Sequence, residues 1–338
     1  MGTLYAVLWL LAPRISRKIL HAIPAIQAVV KGLRAELSNV MTPRDFSLIL
    51  LVCFLWAMHT VVSKVVVSGM EIPPLYYAAV RYGIIAALAF PWLLPTPRPQ
   101  WRILLVGFLM GGGGFALFFL GIKAATPSSA AVVSQLGLPI TVLLSAAMLR
   151  ERIDWRRALG IAVTFVGGIL VMWDPSSGLP ISGGLVLILG SAFAGSLASV
   201  MMKQMEGVRP LQFQAWVGFS SVMPLTFLTA GLETDQLTRA LEAGWAFLAA
   251  LLFSALIVSL VAHTLYYGLL VKYPANLIAP LMIMSPIMTV GLGIVATGDP
   301  FDLRMAVGTG IALCGVMIIT LRGNPIMLLV RFVHDRRR

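Results

Sequence analysis

The sequence predicts an all-α polytopic membrane protein of ten transmembrane helices, arranged as two inverted five-helix repeats with both termini in the cytoplasm. Of its 338 residues, 59% are hydrophobic and only 11% are charged, whereas a soluble domain carries about 25% charge. The apolar residues come in blocks of about 20, the length that a helix needs to cross the hydrocarbon core of a bilayer. A proline-containing stretch near the middle of the chain recurs near its end.

The apolar blocks are separated by short connectors that carry proline, glycine and charged residues. Spans 46–173 form the first predicted repeat, spans 181–321 form the second, and residues 231–244 are the longest connector. Residues 1–45 are a basic amino-terminal extension, and residues 322–338 are a basic cytoplasmic tail. The ten predicted spans are 46–69, 75–94, 101–122, 128–149, 156–173, 181–203, 211–230, 245–270, 275–297 and 304–321.

The amino-terminal extension allows two interpretations. Between residues 14 and 37, basic residues alternate with apolar ones, as in an amphipathic helix on a membrane surface, although Pro24 would interrupt that helix. Met41, followed by Thr-Pro-Arg-Asp, resembles a natural start, in which case residues 1–40 are dispensable. We favour the second interpretation.

The two repeats are most alike around the fourth and ninth spans, where the stretch 126–160 recurs as 273–308. A proline inside an apolar helix removes a backbone hydrogen bond, so both helices are expected to bend. Because each repeat has an odd number of spans, the second must lie inverted in the membrane, as in many secondary transporters. At offsets of 147 or 148 positions the matched pairs are Pro127 and Pro274, Pro139 and Pro286, Glu151 and Asp299, Asp154 and Asp302, and Gly160 and Gly308.

The basic residues set the orientation. The connectors on the side of the amino terminus hold 20 Lys and Arg residues, and those on the opposite side hold 3. An excess of Lys and Arg marks cytoplasmic loops, so both termini are predicted to be cytoplasmic. The net charge of +12 is spread over connectors and ends rather than gathered on one face. We therefore expect no nucleic-acid partner.

Titratable groups at membrane depth are functional candidates because they are costly to place there. All 13 acids lie in loops or at span ends, which leaves His59 and His263. At helical spacing, His59 shares a face with Trp56 and Ser63, and His263 shares one with Tyr266. Alternatively, each histidine hydrogen-bonds a neighbouring carbonyl between packed helices. The predicted substrate-binding residues are Trp56, His59, Ser63, Gln135, Ser199, His263, Tyr266 and Met282.

Three further features bear on the site, and two of them allow alternatives. Gln135 and Met282 match at an offset of 147, so they are expected to face each other across a midplane site. Arg81 in the second span either reaches outward or bonds a carbonyl, which we favour, or it captures an anionic solute. The run Gly111–Gly114 favours close helix approach over a local unwinding.

Short motifs recur at corresponding places in the predicted spans. They are Leu55-Trp56-Ala57 with Lys64, Pro74-Leu75 with Arg81, Pro139, Arg150-Glu151-Arg152, Gly160, Gly167 and Gly168, and in the second copy Lys203, Pro210-Leu211, Pro286, Asp299, Gly308 and Gly315. Together they resemble the EamA-type carriers of the drug/metabolite transporter superfamily over about residues 41–321. The resemblance implies a ten-helix carrier with a central cavity that moves small organic metabolites, often outward. His59 departs from the family, which more often has a small or amide residue there, and the seventh span has no arginine to match Arg81.

These observations predict a secondary transporter that exports a small organic metabolite, amino-acid-like or otherwise amphipathic, by alternating access. The expected location is the inner (cytoplasmic) membrane, spanned many times. Partners are the solute and the lipid bilayer, and self-association as a homodimer is left open. No cofactor and no resident metal are expected.

An integral-membrane enzyme and a channel-like protein are the alternatives. An enzyme would need a nucleophile with its base or a metal cluster, but the four histidines show no metal-binding spacing. Cys53 and Cys314 lie inside apolar blocks without a partner motif, as packing residues do. A channel would need rings of like charge or a carbonyl filter, which the sequence does not contain.

Overall fold

The computed structural model describes residues 41–173, 181–205, 207–273 and 275–320. The extension 1–40 and the tail 321–338, and any surface helix predicted there, lie outside these ranges. Within the described residues the secondary structure is helical, apart from one isolated bridge between Trp173 and Ile181. The helices are α1 (Pro43–Lys64 and Val65–Gly69), α2 (Pro74–Ala89), α3 (Gln100–Phe108, Leu109–Gly113 and Gly114–Ala124), α4 (Pro127–Ser134 and Gly137–Leu149), α5 (Trp155–Met172), α6 (Gly183–Met202), α7 (Pro210–Leu232), α8 (Gln236–Leu252, Phe253–Ala262 and His263–Lys272), α9 (Ala275–Leu281, Met284–Leu292 and Gly293–Thr297) and α10 (Leu303–Thr320).

Nine of the described helices are long and apolar enough to cross a membrane, and the exception is α2. The predicted span 75–94 is a 16-residue α-helix followed by a 3₁₀ turn at Phe90–Leu93. Pro91 causes this change because it has no N–H group to extend the α-helical hydrogen bonds. Large apolar side chains such as Phe227 and Leu303 lie on the outside, 68% and 80% exposed. The chain is therefore a helical multi-pass membrane protein.

The start of α1 is capped locally, where Thr42 Oγ1 donates to the Asp45 carboxylate at 2.8 Å and accepts from Asp45 N at 3.2 Å. The described residues from Ile49 onward belong to one compact bundle.

The start of α8 differs from the prediction. Most of the loop predicted at 231–244 is helical, because α8 begins at Gln236. Its first turns carry leucines four residues apart, Leu237 and Leu241, as an amphipathic helix does. Gly244 then interrupts the helix with φ 54° and ψ −133°, a conformation that only glycine adopts readily. The apolar span follows this kink.

Parts of α1, α3, α8 and α9 are π-helical, with the wider turn in which each N–H bonds five residues back. In α3 this segment, Leu109–Gly113, includes most of the predicted glycine run. Close approach also occurs there, because Gly112 N donates to Ser221 Oγ of α7 at 2.7 Å. At Gly107 an added Cβ would lie 2.9 Å from the Trp216 carbonyl oxygen. The glycine run therefore combines close packing with a local change of helix type.

The helices α4 and α9 are interrupted at matched positions. Gln135 and Leu136 lie between the two segments of α4, and Met282 and Ile283 lie between the first two segments of α9, 147 positions later. The cause is the proline four residues beyond each break, since its missing N–H leaves a carbonyl without its usual donor. The Gln135 carbonyl instead accepts from Leu138 N at 3.1 Å, and the Met282 carbonyl accepts from Ser285 N at 3.0 Å. The predicted bends thus lie one turn before Pro139 and Pro286.

The helices α5 and α10 meet along a seam of small residues. A Cβ on Gly160 would lie 2.9 Å from the Gly315 oxygen, and one on Gly315 would lie 2.8 Å from the Gly160 oxygen. The same reciprocity joins Gly167 and Gly308, at 2.7 and 3.1 Å. At the offset of 148, Gly160 matches Gly308 and Gly167 matches Gly315, so each contact is the image of the other. The seam allows the two backbones to touch.

Candidate functional site

A cavity of about 250 Å³ lies within the bundle, between α1, α3, α6 and α8. Its walls combine aromatic rings with hydroxyl and imidazole groups, which is the usual composition of a site for a small organic molecule. The residues that line it are Trp56, His59, Thr60, Phe115, Phe118, Ser191, Val258 and His263.

Trp56 lines the cavity and packs against two aromatic side chains of α8. Its ring centroid lies 5.1 Å from that of His263 and 5.1 Å from that of Tyr266. The Nε1–H group is buried and has no hydrogen-bond partner within the described part of the chain. Since a buried donor without a partner is costly, a bound molecule with an acceptor atom would remove that cost.

His59 is held by a buried arginine. Arg81 Nη1 lies 3.0 Å from His59 Nε2, and Ser254 Oγ lies 3.0 Å from the same nitrogen. Arg81 Nε and Nη2 donate to Ser259 Oγ at 3.2 and 2.7 Å. Because a guanidinium can only donate, Nε2 must accept. His59 is therefore a neutral imidazole whose proton is on Nδ1.

Arg81 is a charge inside the membrane-spanning bundle and is only 1% exposed. Its guanidinium carbon lies 4.5 Å from the centroid of the Phe115 ring, within the range of a cation–π interaction. Among the residues that the structure describes, no carboxylate forms an ion pair with it. A buried charge normally needs an opposite charge or a full set of hydrogen bonds. Here hydroxyl, imidazole and aromatic groups provide those contacts.

The π-helical segment of α8, Phe253–Ala262, positions the polar groups around Arg81. Ser254 and Ser259 are one π-helical turn apart, and Ser259 Oγ donates to the Ser254 carbonyl at 3.1 Å. In the same way His263 Nδ1 lies 2.8 Å from the Val258 carbonyl, five residues before it. Since a carbonyl only accepts, Nδ1 carries the proton and a neutral His263 keeps Nε2 as an acceptor. This matches the alternative in which a histidine bonds a neighbouring carbonyl, while the ring still lines the cavity.

The structure brings together five of the eight predicted site residues. Trp56, His59 and His263 line the cavity, and Tyr266 packs on Trp56. Ser63 is fully buried one turn from His59 and donates to the His59 carbonyl at 2.7 Å. Their role in binding a solute stays a prediction.

The other three predicted residues are not among those that line this cavity. Ser199 Oγ donates within its own helix to the Gly195 carbonyl at 2.8 Å. Met282 Sδ lies 3.9 Å from Cys53 Sγ, and Gln135 lies at the break in α4. The expected meeting of Gln135 and Met282 across the site likewise stays a prediction.

Sequence reasoning undervalued Arg81 and missed Ser254 and Ser259. The interpretation that we favoured for Arg81, that it reaches outward or bonds a carbonyl, is wrong, because the side chain is buried and its hydrogen-bond partners among the described residues are the side chains of Ser259 and His59. The available signal was a basic residue inside a span with no acid at the same depth, which marks a functional candidate. The two serines gave no signal, since serine is common in membrane helices.

The described residues contain no group of three or more His, Cys, Asp or Glu side chains that could hold a metal ion.

The fold is that of a helical multi-pass membrane protein with a cavity inside its bundle. The model of the EamA-like transporter family matches residues 46–173 and 182–321, and the chain belongs to this family.

Similar proteins agree with this assignment. A probable amino-acid metabolite efflux pump of Salmonella typhimurium strain LT2 is 27% identical over 290 residues, covering 82% of this chain and 93% of the relative. A protein of the same description from Escherichia coli strain K12 is 25% identical over 292 residues, with the same coverage. A solved crystal structure shares the fold, with a TM-score of 0.53 at 18% identity, covering 83% of this chain and 98% of that one.

Proposed function

We propose that this protein is a secondary transporter that exports a small amino-acid-like or amphipathic metabolite across the cytoplasmic membrane by alternating access. The observation that carries the proposal is the cavity at Trp56, His59 and His263, which lies between helices of both repeats. α1 and α3 come from the first repeat, and α6 and α8 come from the second. A site at the junction of two repeats is accessible from either side when the repeats rock against each other.

The proposed architecture is ten spans in two inverted repeats. α2 with its 3₁₀ turn supplies the tenth span, since the 16 and 4 residues together are long enough to cross. The reciprocal glycine contacts between α5 and α10 support a two-fold relation, because only related copies exchange equivalent contacts in this way. The matched breaks in α4 and α9 support it independently.

The topology is tested by reporters fused at Pro97 and at Asp174, the latter outside the described residues. Inverted repeats require that the two reporters lie on opposite sides of the membrane. Signals from the same side would contradict the architecture.

Transport is tested in proteoliposomes with a panel of labelled amino acids and their derivatives. Trp56→Ala should reduce uptake or exchange of the transported solute at least tenfold, because it removes an aromatic wall and a free donor of the cavity. Trp245→Ala is the matched control, since Trp245 is 77% exposed and remote from the cavity residues. Equal rates in both variants would place the solute elsewhere. Turnover of a panel member into a new compound would favour the enzyme alternative.

A further inference from the structure

We infer that the cavity recognises a carboxylate on the solute through Trp56 Nε1–H and His59 Nδ1–H, and that Arg81 is a positioning residue that gives this site its preference for negative charge. The inference rests on the proposed transport function and narrows its solute class to carboxylates.

The donors of the cavity are the first reason. Trp56 offers a buried N–H that has no partner in the described residues. His59 Nε2 accepts from Arg81, so the one proton of this ring, which lines the cavity, is on Nδ1. A carboxylate is an acceptor-only group with two oxygens, which can take both hydrogen bonds at once. Hydrogen bonds to a charged acceptor are roughly twice as strong as those to a neutral one.

The buried charge is the second reason. Arg81 lies directly behind His59, on the side away from Nδ1, and donates to it at 3.0 Å. In a site of low dielectric constant this charge acts over several ångströms. The acids in the described residues lie in connectors, near helix ends or, for the exposed Glu242, in the turns of α8 before Gly244, so no acid of the bundle interior offsets this charge. A solute carboxylate would offset the charge, whereas a cationic amine would be repelled by it.

Arg81 also determines which ring nitrogen of His59 carries the proton. While the guanidinium donates to Nε2, the imidazole can neither move its proton there nor take up a second one without losing this bond. His59 Nδ1–H is thereby kept as a donor. A fixed Nδ1–H donor disfavours solutes that present only hydrogen-bond donors, because two donors cannot bond each other.

The test compares four forms of each amino acid that the purified protein binds: the parent, its N-acetyl form, its methyl ester and the decarboxylated amine. Binding is measured by titration calorimetry in detergent. The parent and the N-acetyl form, which keep the carboxylate, should bind at least tenfold more tightly than the ester and the amine.

Two variants test which residues cause the preference for carboxylates. Arg81→Gln should reduce the ratio of parent to ester affinity to near one while leaving the ester affinity within about twofold, whereas a merely structural role would lower both affinities together. Trp56→Phe keeps the ring and removes the donor, so it should lower the same ratio roughly tenfold even if Arg81→Gln fails to fold.

Three outcomes would overturn the inference. The first is tighter binding of esters or amines than of carboxylates, which leaves a transporter with a different solute class. The second is an unchanged ratio in Trp56→Phe, and also in Arg81→Gln if that variant folds. The third is an absence of binding by any carboxylate in the panel, which contradicts the proposed amino-acid-like solute as well.

Discussion

Two ends of the bundle carry equivalent acids in different surroundings. Asp299, after α9, is only 7% exposed and accepts from Ser128 N at 2.8 Å, Ser128 Oγ at 2.6 Å and Thr297 Oγ1 at 2.6 Å. Glu151, its counterpart after α4, has a side chain that is 47% exposed and lies 3.7 Å from Lys203 Nζ. We call the three residues Asp299, Ser128 and Thr297 the Asp299 cluster. The two matched acids therefore differ in their surroundings, since Asp299 is buried and hydrogen-bonded whereas Glu151 is exposed.

The difference follows from how α4 and α9 pack. The first segment of α4, Pro127–Ser134, packs against the Met284–Leu292 segment of α9. This brings the amino end of α4 to the carboxyl end of α9, where backbone N–H groups and a carboxylate attract each other. Buried hydrogen bonds therefore join α4 and α9 at the end that carries Asp299. In a carrier with two inverted repeats, the other end would close in the opposite state.

The largest expected effect is on the seam that supports both ends. In Gly167→Leu the new side chain would meet Ala312 N and would lie 2.7 Å from the Gly308 oxygen before relaxation. Backbone atoms cannot move aside as side chains can, so we expect destabilisation of about 3 kcal/mol or more. The melting temperature in detergent measures it.

Gly310→Leu is the control for the seam, because a Cβ at Gly310 meets nothing within 4 Å. Similar melting temperatures for the two variants would mean that α5 and α10 do not touch as described.

The second largest effect is the loss of stability when Asp299 is replaced, compared with the loss when Glu151 is replaced. Asp299→Ala leaves Ser128 N without an acceptor, while the hydroxyls of Ser128 and Thr297 keep the carbonyls of Val290 and Gly293, so we expect a loss of about 2 kcal/mol. It should also open that end, so that a cysteine introduced at buried Ala125 reacts faster with a water-soluble maleimide. Glu151→Ala should change stability by about 0.5 kcal/mol or less, since the group is exposed. Equal effects at both ends would contradict the comparison.

A smaller effect comes from crowding the Asp299 cluster. A Cβ at Gly293 would meet the Asp299 carboxylate and lie 2.5 Å from Ser128 Oγ. Gly293→Ala should therefore cost roughly 1–2 kcal/mol and raise the reactivity of the Ala125→Cys reporter.

Gly291→Ala is matched to this change in the same helix, but it meets nothing within 4 Å. It should be neutral or stabilise by up to about 1 kcal/mol, because alanine favours the helix. A destabilised Gly291→Ala would show that helix propensity or lipid contact, rather than the cluster, decides the result.

The sequence allowed the breaks in α4 and α9 to be predicted but not the site behind His59. Pro139 and Pro286 mark the bends because a missing N–H has a local effect that can be placed from the chain alone. Arg81 could not be assigned partners, since Ser254 and Ser259 are far away in sequence. Five residues apart on an α-helix they would face about 140° apart, and only the π-helical turn brings both to Arg81.

The burial of Asp299 was equally out of reach of the sequence. Glu151 and Asp299 occupy matched positions, and a duplicated sequence treats them alike. The burial of Asp299 depends on how the first segment of α4 packs against α9, which is a tertiary contact between segments that are far apart in sequence. The repeat predicts that the two acids are related without predicting which one is buried.

The smallest expected effect concerns Lys203 and tests the comparison most directly. A double-mutant cycle between Glu151→Ala and Lys203→Ala should give a coupling energy of about 0.5 kcal/mol or less, because both side chains are about half exposed and solvent screens them. The corresponding cycle between Asp299→Ala and Ser128→Ala should exceed about 1 kcal/mol, since those groups are buried. Both coupling energies are obtained from melting temperatures at low and at high salt. Only the coupling between Glu151 and Lys203 should decrease as the salt concentration rises. If the coupling energy between Glu151 and Lys203 equals that between Asp299 and Ser128, the Glu151–Lys203 pair is buried in solution as well. The asymmetry between the two ends then does not hold.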